Sequence, residues 1–556
     1  MKNLPLIRRF LILLLGLVSA VFACNFPPLA PPASSPTLSL ISSPKPFPPQ
    51  TLSPTVQTTA SPEVDDPGSP TPSATPAVEA TLSIPTRVYQ PVFEAAPCAF
   101  PVPPGYEPEC GYLVVPENRF LAEGPSIRLH AALFRSHSGS PAPDPVVHLA
   151  GGPGSSSLEV AGYMFQQGLD AILENRDFIL FDQRGTGYSR PRLDCPERES
   201  LTPNLLERGL IAAESGEEIV QAFRNCRDRL LTEGIDLSAY HSAASAADVN
   251  DLRLTLGYEQ VNLYAVSYGT RLALTLLRDN PEIVRSAVLD SAYPLEVNLY
   301  TSLAPNAERA FNVLFDSCAV DPACEEAYPD LRGTFYQLVN DLNAEPLRVP
   351  VRSGGEDFMV RVDGGLLIDV LFVGLYNRSV AASMPRMVSD LREGRTGILE
   401  ERLRLYFDTS SALGMNTAVQ CAEEIPFSQP EEAFQAAQNV RPEIAAFFPA
   451  SVQPLFAVCD AWSPAQPDPR ENQPVTGRVP ALVLAGSFDP ITPPDWGRMV
   501  AGDLPGAFFY ELPGNGHWVT RSSACALAMA LDFWNDPTSA PDSSCIQSAA
   551  GLDFLR

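Results

Sequence analysis

Short apolar runs alternate with segments of helical periodicity over most of the chain from residue 89 onward. Runs of about four to eight apolar residues, bounded by glycine, proline or polar residues, are typical of buried strands. In the segments between them, apolar residues recur every three or four positions, which indicates one face of a helix. The predicted strands are 111–116, 127–134, 145–149, 178–181, 261–266, 287–290, 480–486 and 508–512, and the predicted helices include 216–232, 244–256 and 523–534.

This alternation predicts an α/β fold with a mostly parallel, doubly wound sheet that helices cover on both faces. The first two strands are expected to form a hairpin at the sheet edge. The alternation stops near Glu296 and resumes near residue 480, and the pattern between them is helical. We therefore expect a core in two parts, 89–295 and 471–556, with a helical lid inserted at 296–470 over the carboxyl edge of the sheet.

The first 88 residues have a different composition. A basic start followed by an apolar stretch predicts an export signal over 1–24. Its last residue, Cys24, follows a small residue, as at a bacterial lipidation site. We expect a lipid on Cys24 that anchors an extracytoplasmic protein to the membrane; ordinary cleavage nearby, giving a secreted protein, is the alternative. Residues 25–88 are rich in proline, serine and threonine, which predicts a disordered stalk.

Charge and cysteine content narrow the function classes. The net charge of −27 argues against a nucleic-acid partner. Eleven cysteines less Cys24 leave ten, an even number that suits disulfides in an oxidising compartment. No CxxC or HExxH spacing occurs, so we expect neither a metal nor a cofactor. Pairing of neighbours predicts the disulfides Cys98–Cys110, Cys195–Cys226, Cys318–Cys324, Cys421–Cys459 and Cys525–Cys545.

A serine stands at the junction of a predicted strand and a predicted helix. Ser267 lies between the small residues Ala265 and Gly269, the pattern of a nucleophile elbow in which strand and helix nearly touch. A serine hydroxyl needs a histidine to take its proton and an acid to orient that histidine. Of the five histidines only His517 follows Ser267, in a glycine-rich loop after the last predicted strand. The sequence therefore predicts Ser267 as nucleophile and His517 as base.

Three aspartates are candidates for the acid. Asp489 follows the end of a predicted strand and is the preferred candidate, with Asp495 and Asp290 as alternatives. Acyl transfer also needs backbone N–H groups that stabilise the oxyanion. We expect these from Tyr268, which follows the nucleophile, and from Gly152, in the glycine loop after an early strand.

Together these motifs resemble the proline iminopeptidase and tripeptidyl aminopeptidase group of α/β-hydrolases. The resemblance implies a serine exopeptidase that acts on peptides with a free N-terminus, in which Asp182 and Arg184 support the oxyanion loop. Ala150 and Ala265 replace a histidine and a glycine common in the group, which bears on substrate preference. The motifs are Gly-Gly-Pro-Gly at 151–154, Asp-Gln-Arg-Gly-Thr-Gly-Tyr-Ser at 182–189, the Ser267 elbow, Asp489 with its following Thr-Pro-Pro, and Gly-His at 516–517.

Three hypotheses follow. The leading one is an exported aminopeptidase; the others are an esterase or amidase with the same machinery, and a catalytically idle surface binding protein. An aminopeptidase must bind the substrate's α-ammonium group, and a partly buried cation needs a carboxylate. The paired Glu423 and Glu424, beside Cys421, are the candidates, with Glu423 preferred; a solvated loop is the alternative. The sequence carries no signal of oligomeric state.

Overall fold

The computed structural model describes residues 89–121, 123–209, 213–407, 411–462, 467–548 and 551–556. All of them belong to one compact unit, Leu82–Arg556. The predicted export signal, Cys24 and the predicted stalk lie outside the described residues.

Nine of the strands in the described residues form a central sheet, and two form a separate antiparallel hairpin. The central strands are β1 (Val92–Ala95), β2 (Glu109–Pro116), β3 (Ser126–Phe134), β4 (Val146–Leu149), β5 (Phe178–Phe181), β6 (Val261–Val266), β7 (Val284–Asp290), β10 (Ala481–Gly486) and β11 (Phe508–Leu512). The hairpin consists of β8 (Leu347–Ser353) and β9 (Glu356–Val362).

The central sheet has the order β1-β2-β3-β5-β4-β6-β7-β10-β11. The pairs up to β3–β5 are antiparallel, and every pair from β5–β4 to β10–β11 is parallel. The predicted mostly parallel sheet with an edge hairpin is therefore confirmed. Strand β1 was not predicted, because its four residues are largely exposed and carry no apolar run.

Helices cover both faces of the sheet, as the fold class requires. Successive side chains of a strand point to opposite faces. Leu263 accordingly belongs to the same apolar cluster as residues of α5 (Ser242–Thr255) and α6 (Tyr268–Asp279), and Tyr264 to the same cluster as residues of α1 (Ala161–Gln166) and α18 (Ala524–Asn535). The helices outside the insertion are α1 (Ala161–Gln166), α2 (Pro196–Glu199), α3 (Thr202–Arg208), α4 (Ala213–Thr232), α5 (Ser242–Thr255), α6 (Tyr268–Asp279), α16 (Pro494–Asp503), α17 (Val519–Ser522), α18 (Ala524–Asn535) and α19 (Cys545–Ser548).

The segment between β7 and β10 forms the insertion, which has a large apolar cluster of its own. It is mostly helical but also contains β8 and β9, which were not predicted. Their apolar residues alternate with charged ones around a Gly354-Gly355 turn, a strand pattern that is visible in the sequence. The helices of the insertion are α7 (Leu299–Val320), α8 (Pro322–Ala327), α9 (Leu331–Ala344), α10 (Gly364–Gly374), α11 (Arg378–Arg392), α12 (Gly397–Leu403), α13 (Leu413–Glu423), α14 (Pro430–Ala436) and α15 (Pro442–Trp462).

Helix α15 is the one helix in the described residues that is long and apolar enough to cross a membrane, and half of its apolar window is buried. Phe447 and Phe448 belong to the insertion's apolar cluster, and Phe456 belongs to a second cluster that includes Phe223 and Trp462. Helix α15 is therefore apolar because much of its surface packs in the protein core.

All ten cysteines of the described residues are paired, in the combinations that neighbour spacing predicts. One pair, Cys421–Cys459, joins α13 to α15 within the insertion.

Candidate active site

Ser267 stands at the turn between β6 and α6 in a strained backbone conformation, with φ +57° and ψ −126°. A positive φ is disfavoured for a residue with a side chain and persists only where the surroundings enforce it. Strand and helix approach closely here: a Cβ atom on Gly269 would lie 2.0 Å from the carbonyl oxygen of Leu149. Ala265 is fully buried, and the strand accommodates its methyl group in place of the family's glycine. This geometry is that of a nucleophile elbow.

His517 and Asp489 form a buried pair. The ring nitrogen Nδ1 of His517 lies 2.8 Å from Oδ2 of Asp489. The other carboxylate oxygen, Oδ1, accepts hydrogen bonds of 3.0 Å from the backbone N–H groups of Ile491 and Thr492, and the Thr492 hydroxyl donates to Oδ2 at 2.8 Å. Burial acts to raise the pKa of Asp489, but His517 and these donors outweigh it and lower the pKa below its usual value. The carboxylate therefore stays ionised and orients the imidazole.

The two other candidate acids have different partners. Asp290, at the end of β7, is fully buried and accepts hydrogen bonds from the backbone N–H groups of Val519 and Thr520, each at 2.8 Å. Asp495 lies in the first turn of α16, where its exposed side chain pairs with Arg498. Among the three aspartates, only Asp489 has a hydrogen bond to the histidine.

Asp290 connects the nucleophile to the histidine loop. Its carbonyl oxygen accepts a 3.0 Å hydrogen bond from the N–H of Ser267, while its carboxylate holds the two residues that begin α17, directly after the histidine loop. The same strand end thus fixes both the elbow and the loop that carries His517. Because Nδ1 of His517 is bound to Asp489, Nε2 is the nitrogen left to accept the serine proton.

The glycine loop after β4 lies directly against the nucleophile. A Cβ atom on Gly151 would lie 2.9 Å from Cβ of Ser267 and 3.5 Å from its Oγ. Gly152 and Gly154 follow with φ values of +108° and +104°, which favour glycine. Tyr268 begins α6, and the first N–H groups of a helix have no partner within it. The two predicted donors, Gly152 and Tyr268, thus belong to two segments that adjoin Ser267, the glycine loop and the first turn of α6. The contact that Gly151 makes with Ser267 was not predicted.

The Asp-Gln-Arg-Gly segment supports this loop, as the resemblance implies. The side chain of Gln183 donates a 3.0 Å hydrogen bond to the carbonyl of Ala150. Asp182 accepts hydrogen bonds of 2.7 Å from the Ser156 hydroxyl and the Tyr188 N–H; burial nevertheless raises the pKa of Asp182 to about 6. Arg184 lies in the interior and makes two 2.8 Å hydrogen bonds to a buried aspartate of α5.

Glu423 and Glu424 lie neither in a solvated loop, the alternative considered above, nor on a surface open to a substrate. Glu423 ends α13 and Glu424 follows it, and both are almost completely buried. Arg271 of α6 lies between them, with its Nε 3.5 Å from Oε2 of Glu423 and its Nη1 3.2 Å from Oε2 of Glu424. Glu423 also accepts a hydrogen bond from the backbone N–H of Ser242, and Glu424 accepts one from that of Leu299. These protein partners occupy the carboxylates, so we correct their assignment from binding the substrate's amine to joining the insertion to the nucleophile helix.

A second feature that the sequence did not reveal is the contact of the insertion with the histidine. The carbonyl oxygen of Tyr376, just after α10, accepts a 3.0 Å hydrogen bond from the N–H of His517, and the two rings lie 5.0 Å apart between centroids. Burial, together with the charges of Asp489 and Asp369, raises the pKa of the Tyr376 hydroxyl. The insertion thus contacts the catalytic histidine directly, through both the backbone and the ring of Tyr376.

Asp369 lines a cavity of about 1130 Å³ formed by residues of α2, α3, α4, α10 and α15. Its carboxylate accepts a 2.5 Å hydrogen bond from the hydroxyl of Tyr406 at Oδ2, and burial raises its pKa. Asp369 is half-buried by solvent exposure, as expected for a group on the wall of a deep cleft.

Two protein-family comparisons match parts of the chain. Residues 144–317 match the family described as alpha/beta hydrolase fold, and residues 445–545 match the one described as TAP-like protein. The first match includes the elbow serine, and the second includes the acid and the histidine.

Three curated relatives extend these matches. Serine protease Hip1 of Mycobacterium tuberculosis is 26% identical over 440 residues, which cover 74% of this chain and 81% of the relative. Putative hydrolase YuaR of Escherichia coli is 25% identical over 470 residues, covering 80% of this chain and 89% of the relative. Tripeptidyl aminopeptidase of Streptomyces lividans is 26% identical over 193 residues, or 33% of this chain and 35% of the relative. The chain has the α/β-hydrolase fold, and these matches support a hydrolase that is similar to peptidase-like proteins of this fold.

Proposed function

We propose that the protein is a serine aminopeptidase that releases residues from the free N-terminus of peptides. The observation that carries the proposal is the strained serine of the elbow, on the same sheet edge as the buried His517–Asp489 pair. The names of two relatives, serine protease and tripeptidyl aminopeptidase, favour a peptide over a simple ester as substrate.

The residues of the site take the following roles in this reaction. Ser267 attacks the scissile carbonyl carbon as Nε2 of His517 takes the hydroxyl proton, and Asp489 holds the imidazolium that forms. The N–H groups of Gly152 and Tyr268 stabilise the oxyanion. When the tetrahedral intermediate collapses, the C–N bond breaks and His517 gives its proton to the leaving amine. Water, activated by the same histidine, then hydrolyses the acyl-enzyme.

Recognition of a free N-terminus requires a carboxylate in the binding cleft, because a partly buried ammonium group needs an anionic partner. Glu423 and Glu424 are committed to interior contacts, as described above. Asp369 lines the cavity described above, its charge contributes to the raised pKa of Tyr376, and the hydrogen bond that it accepts from Tyr406 uses only Oδ2. We therefore assign the contact with the α-ammonium group to Asp369.

A panel of fluorogenic peptides tests this function. Peptides with a free amine are expected to be hydrolysed, their N-acetylated counterparts are not, and Ser267→Ala is expected to abolish both turnover and labelling by a fluorophosphonate probe. Asp369→Asn should raise KM for free-amine peptides and leave the hydrolysis of a small neutral ester unchanged; Glu217→Gln, an exposed carboxylate on the same cavity wall, is the control. Turnover of esters alone would identify an esterase, and a wild-type protein that the probe does not label would point to an idle binding protein.

We further propose that the protein is exported and anchored to a membrane by a lipid on Cys24. The five disulfides support an oxidising compartment. Mass spectrometry of the mature chain is expected to find a diacylglyceryl group on Cys24 as the first residue. An unmodified N-terminus at another position would refute the anchor and would leave the enzyme assignment intact.

A further inference from the structure

One helix of the insertion, α13, contacts both sides of the predicted oxyanion hole. At its N-terminal end the backbone N–H of Ala412 donates a 3.0 Å hydrogen bond to the carbonyl of Gly154, and the side chain of Asn416 donates one of 3.0 Å to the carbonyl of Pro153. The packing is tight: a Cβ atom on Gly154 would lie 2.7 Å from the carbonyl oxygen of Ala412. This end of α13 therefore holds the loop that carries Gly152.

The C-terminal end of α13 holds the start of the nucleophile helix. The carboxylate of Glu423 accepts hydrogen bonds from the N–H and the hydroxyl of Ser242, at 2.5 and 2.7 Å. The Ser242 hydroxyl lies 2.8 Å from the hydroxyl of Tyr268. The carbonyl of Glu423 accepts a 2.9 Å hydrogen bond from Arg271, which belongs to the first turn of the same helix, α6. Glu423 is thus linked to the residue whose N–H is the second oxyanion donor.

The helix is a rigid spacer between these contacts. Its 11 residues span about 16 Å at about 1.5 Å per residue. The disulfide Cys421–Cys459 fixes its C-terminal turn to α15. An oxyanion hole works only if its donors are held at hydrogen-bond distance from the developing charge, and small displacements lower the rate.

We infer that α13 is the element that positions the oxyanion hole, with Asn416 fixing the Gly152 side and Glu423 fixing the Tyr268 side. The inference rests on the proposed function, since it assigns these residues to the same Ser267 site. Neither side chain touches the reacting atoms, so both are positioning residues. The insertion then sets the rate of the chemical step in addition to covering the cleft.

Asn416→Ala and Glu423→Gln test the inference, with a small neutral ester as substrate so that recognition of an N-terminus plays no part. Removing one oxyanion donor outright lowers kcat about 10²–10³-fold in enzymes of this type. Misplacing a donor should do less, and we expect each variant to lose about tenfold in kcat while KM stays within about twofold. Affinity for a peptidyl trifluoromethyl ketone, whose serine adduct carries the oxyanion, should fall by the same factor as kcat.

Two matched controls separate positioning from general loss of packing. Glu424→Gln removes the neighbouring buried carboxylate, which also lies beside Arg271 but accepts its backbone hydrogen bond from Leu299 and not from Ser242. Thr417→Val removes a hydroxyl of α13 that donates only within the helix, to the carbonyl of Leu413. Both controls are expected to keep kcat within about twofold of the wild type, even where the melting temperature falls.

Several results would overturn the inference. These are a rise in KM with kcat unchanged, an equal kcat loss in Glu424→Gln and Glu423→Gln, or unchanged ketone affinity in both positioning variants. If Glu423→Gln does not fold, Asn416→Ala still tests the inference, because Asn416 is half-buried and lies at the other end of the helix. A wild-type protein that neither hydrolyses the ester nor reacts with the fluorophosphonate refutes the proposed function itself, whereas an active wild type with unaffected variants refutes only the role of α13.

Discussion

The neighbouring strands β7 and β10 each end in a region that contains a completely buried aspartate, yet the two aspartates differ in what they hold. Asp489, after β10, binds the imidazole of His517. Asp290, the last residue of β7, binds the backbone that follows that histidine. Burial acts to raise both pKa values; His517 and the hydrogen-bond donors reverse this for Asp489, whereas the donors around Asp290 do not.

The difference shows that a buried carboxylate at the catalytic edge of the sheet is not sufficient to identify the acid. Both aspartates are surrounded by hydrogen-bond donors, and both lie near His517. What distinguishes them is the group they hold: the imidazole of His517 in one case and the backbone of the following segment in the other. The comparison therefore predicts a kinetic effect for one substitution and mainly a structural effect for the other.

Asp489→Asn is expected to give the largest effect. Replacing the acid of a serine triad by its amide favours the wrong imidazole tautomer and lowers kcat about 10⁴-fold. KM should change little, since Asp489 is buried behind the histidine. Steady-state kinetics on a fluorogenic ester will measure this loss, and a decrease of less than about tenfold would mean that another carboxylate supplies the acid.

Asp290→Asn is expected to lower kcat by no more than about tenfold, because Asp489 remains bound to the histidine. The amide NH₂ group would replace one carboxylate oxygen and would face an N–H or hydroxyl group that now donates to Asp290. Because that buried donor would lose its acceptor, the protein should lose about 1–3 kcal/mol of stability. Urea denaturation and kinetics on the same preparation measure the two quantities. A kcat loss that equals that of Asp489→Asn would remove the distinction between the two strand ends.

The sequence could predict the strand ends but not the difference between them. Asp290 ends one predicted strand and Asp489 follows another, and both lie between Ser267 and His517 in the chain. The chain order of the triad therefore does not distinguish them, and Asp489 is preferred only for its position in the turn after the strand. The choice itself depends on a contact with His517 that forms only when β10 and β11 are adjacent in the sheet.

The same limit explains the incorrect assignment of Glu423. Its neighbours Cys421 and Glu424 indicate a constrained acidic turn, and the sequence does not show that Arg271, about 150 positions earlier, lies beside it. A buried ion pair between segments so far apart leaves no local signal. Elements specified by local periodicity, such as β6 and α6, are predictable for the opposite reason.

The two aspartates should also affect stability with opposite dependence on pH. Because the pKa of Asp290 is raised in the folded protein, its contribution to the free energy of unfolding is fully present below the pKa of the unfolded state, about 3.8. That contribution is lost as the pH rises through the folded pKa. The lowered pKa of Asp489 means that its contribution is present above about 3.8 and is lost as the pH falls through the folded pKa.

Urea midpoints measured from about pH 3 to pH 7 are expected to show this contrast. Asp290→Asn should flatten the decline of stability on the neutral side of this range, and Asp489→Asn should flatten the decline on the acid side. The wild-type protein measured in the same buffers is the reference. Parallel curves for all three proteins would show that neither carboxylate changes its pKa on folding.

Asp495→Asn is expected to give the smallest effect and provides the baseline for the comparison. Asp495 lies only six positions after Asp489 in the chain, but its side chain is 75% exposed and pairs with Arg498 on the surface. Exposed ion pairs of this kind contribute about 0–1 kcal/mol and are weakened by salt. Neither kcat nor KM should change, because no donor at the site depends on this carboxylate. A measurable loss of kcat in Asp495→Asn would show that surface charge at the start of α16 reaches the triad. The large effect of Asp489→Asn could then no longer be ascribed to its hydrogen bond with His517 alone.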